Sequence, residues 1–229
     1  MQEGVEGSMA RIVMFGTHHH DPDGIEKLRR ELGEENPDIV ICEGSEAKLE
    51  GHQRYLEMLK GETTKLSVGR GRIRKFLAYE EMAGYEMKTA REFCESRGLP
   101  FFYFNDSGQI LTQEERERNV ARLIKVIQTI NPDRAVEEIR ADCKSVYRLL
   151  NSVVGDPQEI VIVSQLPDFY SFVGPRDAEM EAVARTVQGE NPGKKISCVN
   201  GYYHTLRDAQ GLSLYCRIRD LKPERILVG

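Results

Sequence analysis

The chain has 229 residues, of which 40% are hydrophobic and 30% charged, and its net charge is −5. This length suits one globular domain with a substantial core, and the small acidic excess argues against nucleic-acid binding. No apolar stretch approaches the roughly 20 residues that a membrane helix needs. Five scattered cysteines without a C-x-x-C pair are typical of reduced thiols. We therefore expect a cytoplasmic protein with no membrane partner.

In the first half of the chain, strand and helix patterns alternate. Residues 1–8 are polar and glycine-rich, which predicts a disordered leader before a single domain over 9–229. Apolar runs at 11–15 and 38–42 enclose a helical pattern at 25–32, so they form a βαβ unit with parallel strands. Further elements are expected in the order helix 46–59, helix 73–97 and strand 101–104.

The second half begins with a charged helical region at about 108–152. Thr112 is followed by acids typical of a helix N-terminus, and we interpret the region as a helical hairpin inserted over or beside the sheet. Residues 160–163 are either a strand or the start of a buried helix. The remaining elements are expected as helix 176–187, strand 195–199, helix 215–220 and strand 225–228. The predicted fold class is α/β, with a central mixed, largely parallel sheet flanked by helices and a cleft at the carboxyl ends of the strands.

Two histidines stand in the same four-residue frame, G-x-x-H, directly after apolar strands. The first frame is Gly16-Thr17-His18-His19 and the second is Gly201-Tyr202-Tyr203-His204. Glu43 follows the strand at 38–42. Ligands bind at the carboxyl ends of strands in open α/β sheets, and two histidines with a carboxylate form the ligand set of a catalytic metal site.

Each histidine also has a structural interpretation. A run of three histidines after a strand is compatible with a polar loop, and His204 is a lone histidine, which is more often structural. We select His19 because it occupies the frame position that His204 shares, and we keep His18 as a secondary candidate. A histidine that binds metal through one ring nitrogen needs an orienting partner, such as a carboxylate, on the other.

Several charged residues accompany these frames. Glu43 at a strand end is an ion-pair partner or a ligand, because a buried carboxylate is costly without either. Glu86 has the pattern of an ordinary solvent-facing helix acid. Asp106 and Asp177 are further secondary candidates for the site. Asp106 ends a strand but could instead cap a turn, and Asp177 suits a helix dipole whatever its function. Arg176 could hold a carboxylate or a substrate anion.

One basic segment, 69–75, is interpreted as a solvated loop that could also bind an anionic ligand, although it lacks interleaved aromatic residues. The chain has neither a phosphate-binding P-loop nor a G-x-G-x-x-G dinucleotide motif after a strand. Nothing in the sequence therefore predicts a nucleotide cofactor.

The order of these motifs resembles the TraB/PrgY family, its Tiki-type metalloprotease relatives and the wider group of erythromycin-esterase-like enzymes. The resemblance spans residues 10–210. It implies a sheet flanked by helices with a cleft between two halves, and site residues at His19, Glu43 and His204. It places Glu86, Asp106 and Arg176 at secondary positions of the family, whereas Tyr202 and Tyr203 replace the usual small residues and narrow the site.

The predicted function is a metal-dependent hydrolase of peptide or ester bonds acting on a small molecule or peptide. His19 and His204 would hold a divalent metal (zinc, manganese or cobalt), with Glu43 as ligand or general base. The expected catalytic set is Glu43, Glu86 and Arg176, and a metal-free variant would use His19 and Glu43 for acid–base chemistry. The alternative is a binding or regulatory protein that captures a ligand in the same cleft without turnover, and the sequence leaves a homo-oligomer open.

Overall fold

The structure is a computed structural model that describes residues 10–104, 111–129, 131–166 and 169–229. Its five strands form one sheet in the order β3-β2-β4-β1-β5, and every pairing is parallel. The strands are β1 (Arg11–Thr17), β2 (Ile39–Cys42), β3 (Phe101–Tyr103), β4 (Lys195–Gly201) and β5 (Glu224–Leu227). The predicted α/β class is confirmed, and the described sheet is wholly parallel rather than mixed. The predicted leader and Asp106 lie outside the described residues.

Helices cover both faces of the sheet. In the described ranges they are α1 (Gly24–Glu35), α2 (Glu46–Thr63), α3 (Arg70–Met82), α4 (Tyr85–Arg97), α5 (Gln113–Thr129), α6 (Pro132–Val153), α7 (Glu159–Val163), α8 (Phe169–Phe172), α9 (Pro175–Glu190), α10 (Tyr202–Thr205) and α11 (Leu214–Arg217), with a 3₁₀ turn at Arg219–Leu221. None of these helices combines the length and the apolar character that crossing a membrane would require.

The core is divided by the sheet into two apolar layers. On one face Met14 and Cys198 pack with Met180 of α9, and on the other face Phe15 and Val199 pack among residues of α1 and α4. Because β1, β2 and β4 are buried on both faces, their sequences are continuous apolar runs rather than alternating ones. Because these three strands are parallel, their carboxyl ends lie at one edge of the sheet.

Two predicted helical segments differ from the observed ones. The pattern at 73–97 is two helices, because the chain breaks at Gly84, whose φ of 69° is a left-handed conformation that favours glycine. The basic segment 69–75 is not a loop, since α3 begins at Arg70. Residues 160–163 belong to helix α7, which confirms the helical alternative there.

Both helices predicted at 108–152 are present as α5 and α6, but their apolar stripes do not face each other. Val120 and Ile127 of α5 pack with Leu59 of α2 and Phe76 of α3. The apolar stripe of α6 instead joins a cluster with α7, α8 and α10. The two stripes face different clusters, so each helix packs mainly away from the other.

The predicted start of α5 is confirmed. The Thr112 hydroxyl accepts from the Glu115 N–H at 3.2 Å, and the Glu115 carboxylate accepts from the Thr112 N–H at 2.7 Å. This reciprocal capping box satisfies two amide donors that the first turn of a helix leaves unpaired.

Candidate functional site

The two G-x-x-H frames lie side by side because their strands are hydrogen-bonded neighbours. β1 and β4 pair in parallel with Thr17 opposite Gly201, so both strands end at the same level. β2 flanks β4 on its other side, with Cys42 opposite Val199. The residues that follow the three strands therefore meet at one edge of the sheet, as their positions in the sequence predict.

Glu43 lies between the two histidines. Its Oε1 is 3.8 Å from the Nε2 of His19, and its Oε2 is 3.7 Å from the Nε2 of His204. Oε2 also accepts a hydrogen bond from the backbone N–H of Gly201 at 2.6 Å, and Oε1 accepts from the Arg176 guanidinium. Glu43 is only 7% exposed, and its buried carboxylate is compensated by the Arg176 guanidinium and one backbone amide.

His19 is held from behind by Glu86. Its Nδ1 is 2.9 Å from Oε1 of Glu86, which also accepts from the Thr17 hydroxyl at 2.8 Å. Burial by itself raises the pKa of Glu86, but the nearby His19 charge and the hydrogen bonds from His19 and Thr17 outweigh it and lower the pKa overall. Glu86 is thus an ionised acceptor, and the Nδ1 of His19 carries the proton between them.

The solvent-facing interpretation of Glu86 is wrong, since the residue is 3% exposed. The helix α4 places Glu86, Ala90 and Phe93 on one buried face. An acid at such a spacing, aligned with small and aromatic residues, is the signal that could have identified it as inward-facing.

His204 repeats the same arrangement with a different acid. Its Nδ1 is 2.8 Å from Oδ1 of Asp177, whose Oδ2 accepts from the backbone N–H of Leu214 at 2.5 Å. Both residues are almost fully buried. Each frame histidine therefore has its Nδ1 on a buried carboxylate and its Nε2 toward Glu43.

The two frame glycines are required by close approach. A Cβ on Gly201 would lie 2.7 Å from the Nε2 of His19 and 3.4 Å from Oε2 of Glu43. A Cβ on Gly16 would lie 2.6 Å from the Thr205 hydroxyl oxygen. Because glycine has no Cβ, the His19 and Glu43 side chains can lie against the backbone of Gly201, and the Thr205 side chain can lie against that of Gly16.

Arg176 is the cation of the site. It lies in the first turn of α9 next to Asp177, and the carboxylate that it holds is Glu43. Burial lowers its pKa, but an arginine side chain remains protonated in proteins. The sequence-based interpretation of Arg176 as a carboxylate partner agrees with this contact.

A cavity of about 260 Å³ opens beside His19 and is walled largely by aromatic rings. The His18 ring stacks on Tyr202 with centroids 5.7 Å apart, and Phe172 stacks on Tyr203 at the same separation. Burial lowers the pKa of His18, and its backbone N–H donates to the Tyr147 hydroxyl at 2.7 Å. Neither Phe172 nor Tyr147 carried a motif by which the sequence could identify it.

The donor atoms at this edge match a divalent metal in chemical type. They comprise two imidazole Nε2 atoms, each with a carboxylate behind it, and one carboxylate. In the described part of the chain, however, no group of three or more His, Cys, Asp or Glu side chains has the geometry of a metal site. The 3.7–3.8 Å separations exceed the roughly 3.4 Å between two ligands of a tetrahedral zinc, and Arg176 engages one Glu43 oxygen.

The fold and the site define an α/β protein with two histidine–carboxylate pairs around one central glutamate. No family model, no curated protein and no solved structure matches the chain. The resemblance to the TraB/PrgY family therefore rests on the order and spacing of the motifs alone.

Proposed function

We propose that the protein is a hydrolase of ester or amide bonds that acts on a small molecule or peptide, in line with its TraB/PrgY-like motif order. One observation carries the proposal: two histidines direct Nε2 toward the same carboxylate, and each is oriented by a second, buried carboxylate. Such supported imidazoles are typical of metal ligands and of general acid–base catalysts. A purely structural histidine needs no such arrangement.

The exposed His19 is the group that meets substrate. Its side chain is 47% exposed and lines the cavity, so its Nε2 can accept or return a proton while Glu86 keeps the ring in one orientation. Arg176 also lines the cavity, and its charge would stabilise negative charge that develops on a substrate oxygen. The aromatic wall would hold an apolar part of the substrate and exclude water.

We propose His19, His204 and Glu43 as the residues that would hold a divalent metal, with zinc, manganese and cobalt compatible with these nitrogen and oxygen donors. The metal would supply Lewis-acid activation of the scissile carbonyl and of water. Arg176 must then share Glu43 with it. A metal-free variant of the same activity would keep the Arg176–Glu43 ion pair intact, with His19 and Glu43 performing acid–base chemistry.

Ligand binding without turnover is the second candidate function. The observation that favours it is the aromatic wall, where Phe172 is 50% exposed beside the stacked rings of Tyr203 and Tyr202. Aromatic side chains bury large apolar areas in recognition sites. The same cavity would then capture a small ligand or peptide.

The test is hydrolysis of p-nitrophenyl esters and aminoacyl p-nitroanilides, with and without added zinc, manganese or cobalt. We expect turnover by the wild type that is lost in Glu43→Gln and retained in the matched variant Glu114→Gln, whose carboxylate is exposed on α5. Wild-type chain that binds these substrates saturably but releases no p-nitrophenol or p-nitroaniline would contradict the hydrolase and support the binding protein.

A further inference from the structure

A second cavity lies away from the histidine site, between α2, α3 and α5. Its volume is about 380 Å³, and it shares no lining residue with the cavity beside His19. This volume falls within the range of small-molecule sites, roughly 300–1,000 Å³. We call it the three-helix cavity, and Tyr55, Leu123 and Val126 form much of its apolar wall.

Polar residues interrupt the apolar stripes of two helices at this cavity. In α5 the inward positions are Arg116, Val120, Leu123 and Ile127, at helical spacing, and the arginine stands where an apolar residue would continue the stripe. Arg116 is 9% exposed. In α2, His52 occupies the corresponding position of a stripe that continues to Tyr55 and Leu59.

These two side chains have polar atoms that the described protein does not satisfy. The Arg116 guanidinium donates to the carbonyl of Leu111 and to the Gln113 side chain, but its buried Nε has no partner among the described residues. The Nε2 of His52 is likewise buried without a partner in the described ranges. Buried polar groups are nearly always hydrogen-bonded, so both atoms point to a ligand.

The charge around the cavity is predominantly positive. Arg116 and Arg122 line it from α5, and Lys48 lines it from α2. The one acid of the lining, Glu80, accepts a hydrogen bond from the Tyr55 hydroxyl at 3.1 Å. An anionic group is therefore the complement of this end of the cavity.

We infer that the three-helix cavity binds an amphipathic carboxylate that also carries a hydroxyl or amide donor. The carboxylate receives the Nε–H of Arg116, the apolar body packs against Tyr55, Leu123 and Val126, and the donor bonds the Nε2 of His52. Burial lowers the pKa of His52, which keeps its ring neutral, and a hydrogen bond to the Glu80 backbone engages the other nitrogen. Nε2 is then an acceptor. This inference does not depend on the proposed hydrolase activity.

The test uses 4-hydroxyphenylacetate, which has a carboxylate, a ring and a hydroxyl donor. Its two controls are phenylacetate, which lacks the hydroxyl, and methyl 4-hydroxyphenylacetate, which lacks the charge. Calorimetric titration of the full chain should show saturable binding of the hydroxy acid and at least about tenfold weaker binding of each control. Amide chemical-shift changes on binding should concentrate in α2 and α5.

Arg116→Met and its matched control Arg118→Met, on the exposed face of the same helix, locate the anion. We expect at least about tenfold weaker binding only in Arg116→Met. His52→Phe, which keeps the ring volume, should weaken 4-hydroxyphenylacetate but not phenylacetate, and it decides the question if Arg116→Met fails to fold. No saturable binding, equal affinity for acid and methyl ester, equal losses of both acids in His52→Phe, or shift changes centred on His19 would each overturn the inference.

Discussion

The two histidine–carboxylate pairs share a sequence frame and a geometry but differ in exposure. The Nδ1 of His19 lies 2.9 Å from Glu86 and that of His204 lies 2.8 Å from Asp177. Yet the side chain of His19 is 47% exposed, whereas that of His204 is 3% exposed. The exposure differs because His19 lies in the loop after β1, beside the cavity, while His204 lies in the helix α10 and is buried.

This difference in exposure indicates that the two histidine–carboxylate pairs have different roles. A half-exposed imidazole with an anchored Nδ1 can exchange protons with a bound molecule, while a buried one such as His204 can position Glu43 and would hold a metal, but does not meet the substrate directly. We expect substitutions at the first pair to affect chemistry more than stability. Substitutions at the second pair should affect both.

The largest expected effect is on turnover, from His19→Ala. Loss of a general acid–base group costs about 100- to 10,000-fold in rate. Removal of the half-exposed His19 ring takes one partner from the buried Glu86, which keeps its hydrogen bond from Thr17, and should lower the free energy of unfolding by about 1–2 kcal/mol. The rate is followed with the p-nitrophenyl ester that the wild type hydrolyses best, and stability by urea unfolding. A folded His19→Ala protein with the wild-type rate would break the comparison.

His204→Ala is expected to lower the free energy of unfolding by about 3 kcal/mol, because it leaves the buried Asp177 carboxylate without its histidine. Its turnover should fall as well. Urea denaturation of this variant beside His19→Ala measures the difference directly. Equal losses of stability in the two variants would mean that the exposure of the histidine does not determine how much each pair contributes to the free energy of unfolding.

Substitutions of the two carboxylates behind the histidines should show the same order of stability loss, with the buried His204 pair losing more. Asp177→Asn places an amide NH₂ against one of two existing N–H donors, from His204 and Leu214, and should cost about 3 kcal/mol. Glu86→Gln should cost only about 1–2 kcal/mol, because the exposed His19 ring can turn toward water. Thermal unfolding of both variants checks the ranking, and a more destabilised Glu86→Gln protein would reverse it.

The frame glycines sharpen the comparison further. In Gly16→Ala the new methyl meets the packed Thr205 and Leu227 side chains, which should cost about 1–3 kcal/mol. In Gly201→Ala the methyl meets the ring of His19, which can move away, so we expect a loss of about 1 kcal/mol. The latter variant should lose turnover despite its stability, and retention of wild-type turnover would show that the position of His19 is not critical.

The smallest effect concerns pH. Because the pKa of Glu86 is lowered in the folded protein, its ionised form contributes stability above the unfolded value of about 4.5. That contribution is lost as the pH falls through the folded pKa. The stability difference between wild type and Glu86→Gln should therefore shrink below about pH 4.5, whereas the difference for the exposed control Glu114→Gln should stay nearly constant. A Glu86→Gln difference that grows on acidification would contradict the ionised assignment.

Much of this edge could be predicted from the sequence, because parallel strands that end in glycine bring their next residues to one place. His19, Glu43 and His204 follow from that rule alone. Asp177 was predicted as a secondary site candidate that also suits a helix dipole, but not as the partner of His204, although its register with Met180 and Ala184 on the buried face of α9 indicates an inward side chain.

The helical part of the fold was harder to predict for a physical reason. Amphipathic stripes on α5 and α6 show that each helix packs against something, but not which partner it packs against. Tertiary contacts decide that α5 joins α2 and α3 while α6 joins α10. The aromatic wall has the same origin, since Phe172 reaches Tyr203 only through that packing.

Metal content is the most direct test of the proposal that His19, Glu43 and His204 hold a divalent metal. Wild type and the His19→Ala/His204→Ala double variant would be purified without added metal, incubated with zinc, manganese or cobalt, and analysed for bound metal after desalting. The account predicts one equivalent of metal in the wild type and none in the folded double variant. Wild-type protein without metal after all three incubations, or equal metal in both proteins, would contradict a metal centre at His19, Glu43 and His204.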